Sequence, residues 1–144
     1  MKNIIVEGHR GYCAKYPENT LISFEAALDL GVDAIEFDVW LTSDKVPVLM
    51  HDGNANRTCR VNKILRDLTL SEVKELEPCY EEKFGDRYKG IGITVPTIGK
   101  YTFYNCEKLA TVVIGIKVES IGEYAFYNTA LTRLTTPKIG RAHV

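Results

Sequence analysis

Apolar and polar residues alternate through Ala34-Ile-Glu-Phe-Asp-Val39, with Ile35, Phe37 and Val39 on one face and Glu36 and Asp38 on the other. That period of two predicts a half-buried strand. Upstream, the short apolar run Ile4-Ile5-Val6 predicts another strand, broken at Gly8-His9-Arg10-Gly11. Between the two, Leu21, Phe24, Ala27 and Leu28 recur at helical spacing and give one buried stripe. Asn19 or Thr20 is placed to cap this helix at its start, and Gly31 at its end. Strand, helix, strand in that order predicts a βαβ unit with parallel pairing.

A third apolar run, Val46 to Met50, follows a turn at Ser43-Asp44-Lys45 and ends in His51-Asp52. Pro47 argues against a central place in a sheet, because it cannot donate to a ladder. Trp40 reads as packing. Thr69 with Glu72 makes a capping box for a short helix through Leu76, which Pro78 closes. The charged, Gly-containing stretch from Tyr80 to Gly92 reads as surface loop. Past Thr97 the pattern changes: Ile98-Gly-Lys-Tyr-Thr-Phe-Tyr-Asn105 returns as Ile121-Gly-Glu-Tyr-Ala-Phe-Tyr-Asn128, an offset of 23 residues. Leu109, Val112 and Ile114 follow the first copy, and Leu131 and Leu134 the second. This spacing falls in the leucine-rich-repeat range of about 20–29 residues. The wording resembles the BspA-like leucine-rich repeats of bacterial surface proteins, with Tyr101, Phe103, Tyr124 and Phe126 as repeat core. The closing residues, Lys138 through Val144, fit the codons of a common sequencing-library adapter and are expected to be non-native.

Composition narrows the function classes. The formal net charge is −1 without a basic block, so no nucleic-acid partner is expected. No apolar run approaches the ~20 residues of a membrane span. The chain opens directly into a strand without a leader-like apolar region, and the expected location is the cytoplasm. The four cysteines, Cys13, Cys59, Cys79 and Cys106, form no CxxC pair, which argues against zinc and against a disulfide framework.

The candidate chemistry clusters at strand ends. Two carboxylates on one strand face, Glu36 and Asp38, repel one another, and a divalent cation relieves that repulsion. Glycines on both sides let the backbone turn sharply and present His9 and Arg10. His9-Arg10-Gly11, Pro17-Glu18-Asn19-Thr20, Glu36-x-Asp38, Thr42-x-Asp44 and His51-Asp52, in this order, resemble the opening third of a glycerophosphodiester phosphodiesterase from about Ile4 to Thr97.

The resemblance implies a (β/α)8 TIM barrel, which takes roughly 250 residues. The expected fold is therefore α/β: a partial TIM-barrel-like part over residues 1–97, then a short β-rich leucine-rich-repeat part over 98–137, with 138–144 outside both. It also implies hydrolysis of a small glycerophosphodiester to glycerol 3-phosphate and an alcohol through a cyclic phosphate. His9 and His51 would share the acid and base roles. Arg10 would clamp the phosphate, and Glu36 and Asp38 would hold Ca²⁺ or Mg²⁺. The family carries a further carboxylate ligand on a later strand, which no position here matches. Asp52 would orient His51 or its loop. The alternative function is a repeat module that binds a protein partner or a surface.

Overall fold

The computed structural model describes residues 4, 6–99, 103, 111–113, 125–130 and 133–135. Strand β1 (Glu7–His9) leads through helix α1 (Leu21–Asp29) to strand β2 (Ala34–Glu36). The two strands pair in parallel, Glu7 opposite Ala34 and His9 opposite Glu36. This is the expected βαβ unit, with β1 three residues later than its apolar run suggests. Ile4 and Val6 remain exposed, and the backbone pairing falls on Glu7–His9 instead. Gly8 sits buried between its neighbours, and a Cβ there would stand 3.1 Å from that of Ala27. The missing side chain lets α1 lie close against the strand.

Gly31 ends α1 with φ +78°, its N–H donating to the Leu28 carbonyl and that of Val32 to Ala27. That pair of bonds is a Schellman cap. The predicted stripe holds for Phe24 and Ala27 but not for Leu21, which is 48% exposed, while Ser23 is buried. Thr20 occupies the N-cap without a side-chain cap bond; its hydroxyl donates to the Pro17 carbonyl. The first turn of α1 is committed to holding the loop before it, so polar residues take the inner positions.

The alternating run does not form one strand. The chain leaves the sheet at Phe37-Asp38, and strand β3 (Val39–Leu41) pairs antiparallel with β4 (Pro47–Leu49). Pro47 stands first in its strand, where its missing N–H costs least. Residues 96–98 run alongside, Leu49 N–H donating to the Pro96 carbonyl and Ile98 N–H to that of Pro47. A short helix α2 (Asn56–Cys59) follows. Helix α3 (Leu70–Lys74) carries the predicted capping box of Thr69 and Glu72, and Asp44 accepts from Leu70 N–H at 3.0 Å. Residues 81–88, expected as loop, form helix α4 (Glu81–Phe84) and a 3-10 turn (Gly85–Tyr88). Tyr80, Phe84 and Tyr88 recur every four residues there, a helical signal hidden among charges. The Tyr88 hydroxyl donates to the Lys15 carbonyl at 2.6 Å.

Strands β5 (Thr111–Val113) and β6 (Arg133–Thr135) extend the first sheet in the order β1-β2-β5-β6, parallel throughout. The C-terminal strands thus lie in the same parallel sheet as β1 and β2. Phe24, Ala27, Ile35, Phe37 and Leu49 share one core with Ile98, Phe103 and Ala125. Within it Phe37 stacks on Phe103 at 5.6 Å, and Phe103 on Phe126 at 5.2 Å. A second core gathers Val48, Met50, Leu65, Val73 and Val95, with Trp40 packed against it. Tyr101, Tyr124, Leu109, Ile114, Leu131, Cys106 and the tail 138–144 lie outside the described residues. No helix among the described residues is long and apolar enough to cross a membrane.

Phe103 is 4% exposed and touches rings on both sides. Phe103→Ala is expected to cost about 3–5 kcal/mol of stability, read as a lower urea midpoint of the full chain.

Candidate active site

His9 and Arg10 are delivered by a tight turn at the carboxyl end of β1. Arg10 has φ +56° and Gly11 φ +79°. A side chain at Gly11 would drive into Ser23, whose carbonyl lies 2.7 Å from the Cβ position. The turn is stitched to α1: Tyr12 N–H donates to the Ser23 carbonyl at 2.8 Å, and Ser23 Oγ donates to the Arg10 carbonyl at 3.0 Å. A non-glycine residue in the left-handed region is strained, and here neighbouring bonds over-determine it.

The carboxyl end of β2 faces this turn. Glu36 Oε2 lies 3.7 Å from His9 Nε2 and accepts from Arg10 N–H at 3.3 Å. Burial, and next the charge of Asp38, pushes the Glu36 carboxyl above its usual range. Asp38 is held by Asn19, which donates from its amide to Oδ2 and accepts the Asp38 backbone N–H, both at 3.1 Å. Arg10 Nε lies 3.3 Å from Asp38 Oδ2. The alignment there does not make a hydrogen bond, so Nε is the buried side-chain nitrogen left without such a partner among the described residues. The Arg10 guanidinium reaches Glu18 Oε1 at 3.3 Å.

His51 enters from the end of the β3–β4 hairpin. Its Nδ1 lies 2.6 Å from Asp52 Oδ1, and its carbonyl accepts from Trp40 Nε1. Asp52 Oδ2 in turn accepts from Arg57 Nε at 2.5 Å. Arg57 then grips Glu18 with both terminal nitrogens, Nη2 at 2.6 Å and Nη1 at 3.1 Å. Burial raises the Glu18 carboxyl, but Arg57 and then Arg10 outweigh it and hold the group below its ordinary range. Asp52 is treated the same way: burial raises it, and hydrogen bonds from Arg57 and His51 more than compensate. His51 lines a small concavity with Glu18, Asn19, Met50 and Thr58.

The expected residues therefore fall into two arms. His9, Arg10, Glu36 and Asp38 meet directly at the strand ends, and His51 joins them through Asp52, Arg57 and Glu18. Asn19, a candidate to cap the helix start, instead clamps Asp38, and Glu18 bridges two arginines. Arg57 gave no signal in the sequence, being one basic residue in a polar loop. Glu36 and Asp38 offer hard oxygen donors, and the Glu36 carboxyl, raised by burial and then by the charge of Asp38, is one that a cation would help to ionise. Among the described residues, no three His, Cys, Asp or Glu side chains gather into a set that could hold a metal ion.

Parallel strands with titratable groups at their carboxyl ends make this a partial α/β fold of the arrangement that (β/α)-barrel proteins use. The chain belongs to the glycerophosphoryl diester phosphodiesterase family, whose sequence pattern matches residues 9–134. The match runs well past Thr97, where the resemblance was expected to stop, and the comparisons give the leucine-rich-repeat reading no support. A glycerophosphodiester phosphodiesterase of Caldanaerobacter subterraneus is 40% identical over 90 residues, 62% of this chain and 36% of the relative. The crystal structure of one from Agrobacterium tumefaciens superposes with TM-score 0.68 at 28% identity, over 78% of this chain and 48% of that one. A phosphodiesterase of Oleispira antarctica, solved with its product sn-glycerol-3-phosphate, gives 0.63 at 29% identity over 77% and 44%. The chain thus spans between a third and a half of the length of these relatives.

Because the folded pKa of Glu18 is depressed, its stabilisation is complete above the unfolded carboxylate pKa and lost as pH falls through the folded value. Glu18→Gln should cost about 2–3 kcal/mol near neutrality, less than a fully buried pair because Arg57 is partly exposed. The difference from wild type should shrink below about pH 4, checked by urea unfolding across the acid range.

Proposed function

We propose that this chain is the catalytic opening of a metal-dependent phosphodiesterase that hydrolyses glycerophosphodiesters to glycerol 3-phosphate and an alcohol. The observation that carries this reading is the unbroken run of contacts from His9 and Glu36 through Arg10, Glu18, Arg57 and Asp52 to His51. It ties two imidazoles and a phosphate-binding guanidinium to one carboxylate pair. The Oleispira antarctica relative, solved with sn-glycerol-3-phosphate, supports the same substrate class.

In the first half-reaction a glycerol hydroxyl attacks phosphorus, its proton passing to one imidazole. The other imidazole, protonated, hands its proton to the departing alcohol as the ester bond breaks. Water then opens the cyclic phosphate with the two roles reversed, restoring both side chains. His9 is 61% exposed and open to substrate. Asp52 on Nδ1 of His51 leaves Nε2 as the nitrogen that exchanges protons. Arg10 offers a fork of donors matched to phosphate oxygens. A bound Ca²⁺ or Mg²⁺, held by Glu36 and Asp38 with water completing its shell, would neutralise phosphate charge. Two side-chain ligands make that binding weak.

We also propose, as a second reading, that the repeated segment presents a face to a protein partner. Phe103 and Phe126 occupy equivalent positions in the two copies and lie face to face at 5.2 Å and 5°. Val112 pairs with Leu134, an offset close to the sequence repeat.

Purified chain supplied with Ca²⁺ or Mg²⁺ should release glycerol 3-phosphate from glycerophosphocholine, and a chelator should abolish the release. His9→Ala and His51→Ala should each lower kcat by about 10²–10⁴-fold. Turnover indifferent to the chelator and to both substitutions would overturn the proposal.

A further inference from the structure

We infer that Arg57 is a positioning residue that fixes the spacing of the two arms of the site, holding Asp52 against His51 and Glu18 against Arg10 at once. This rests on the reading of His51 and Arg10 as reacting and phosphate-binding groups. Three guanidinium nitrogens are engaged: Nε on Asp52 at 2.5 Å, Nη2 and Nη1 on the two oxygens of Glu18 at 2.6 and 3.1 Å. The guanidinium also lies over the Tyr80 ring at 5.0 Å, so its plane is held from the side as well as the edge.

Each engagement has a consequence at the site. Glu18 Oε1 receives both Arg57 Nη2 and Arg10 Nη1. Glu18 is buried, so its carboxylate has little freedom to follow Arg10 elsewhere once Arg57 has fixed it. On the other arm, Arg57 occupies Oδ2 of Asp52, which leaves Oδ1 directed at His51 Nδ1. An ionised carboxylate only accepts, so Nδ1 carries the proton and Nε2 keeps its lone pair. Lysine could supply the charge but not the fork, since an ammonium cannot serve two carboxylates edge-on in one plane. Helix α2 gives Arg57 its place: Arg57 is its second residue, the next, Thr58, is buried, and the Thr58 carbonyl accepts from Tyr80 N–H.

The test uses the full chain labelled with ¹⁵N-histidine, with His51 ring nitrogens read by NMR at successively higher pH until their shifts no longer change. Wild type should show His51 almost wholly as the Nδ1–H tautomer. Arg57→Met and Arg57→Lys should both return it towards the Nε2–H form that free imidazole prefers, while the His9 tautomer stays put. If Arg57→Met does not fold, Glu18→Gln/Arg57→Met removes the buried carboxylate left with Arg10 alone and is read in the same way. A folded Arg57→Met, or the folded double variant in its place, with wild-type His51 tautomer overturns the inference. So does full restoration by lysine, which would leave charge alone as the cause. Where wild type turns over glycerophosphocholine, Arg57→Lys should lower kcat by about 10²-fold. A wild type without turnover would count against the hydrolase reading, and the tautomer ratio would still decide the role of Arg57.

Discussion

The parallel register of β1 against β2 sets His9 opposite Glu36, and the site follows from that pairing. In a parallel ladder, residues opposite one another point to the same face. A slip of one residue would send the imidazole to the far side of the sheet. Several local features secure the register. Gly8 lets α1 close down on β1, the Schellman cap at Gly31 returns the chain to β2, and Arg10 N–H bonds the Glu36 carbonyl at 2.9 Å. The strained backbone at Arg10 is a consequence of turning the chain at once after that pairing.

Charge explains why the site is built from alternating acids and arginines. Glu18, Glu36, Asp38 and Asp52 would repel one another if left alone at the strand ends. Arg10 and Arg57 divide them: each arginine sits near two carboxylates, and Glu18 is shared. Glu36 is the exception, its nearest cationic neighbour being a histidine that is charged only when protonated. Burial and then the charge of Asp38 raise its carboxyl, whereas arginine contacts overcome burial and lower Glu18 and Asp52. One under-compensated carboxylate beside Asp38 is where a cation gains most.

A column of rings joins the barrel-type opening to the C-terminal segment. Phe37 follows β2, Phe103 and Phe126 come from the two copies of the internal repeat, and the three stack in sequence. Backbone pairing reinforces the column, with β5 taking the place beside β2. Two stretches that look unrelated in composition thereby share one core and one parallel sheet.

Much of the local structure was legible in the residues themselves. The cap at Gly31 and the capping box at Thr69 and Glu72 depend on neighbours within a turn or two. The order of apolar runs and the alternation through Ile35 and Phe37 already marked the βαβ unit and its buried face. The ordered motifs from His9 to Asp52 likewise pointed to the family before any fold was known. Tertiary structure alone decided the break of the alternating run after Glu36, because the partner for Val39–Leu41 is β4 and not the sheet. It alone decided the roles of Asn19 and of the Glu18–Arg57 pair, which join residues 19 and 39 positions apart in the chain. Spacing along a chain reports which face a side chain takes; it carries no information about which distant charge that face will meet.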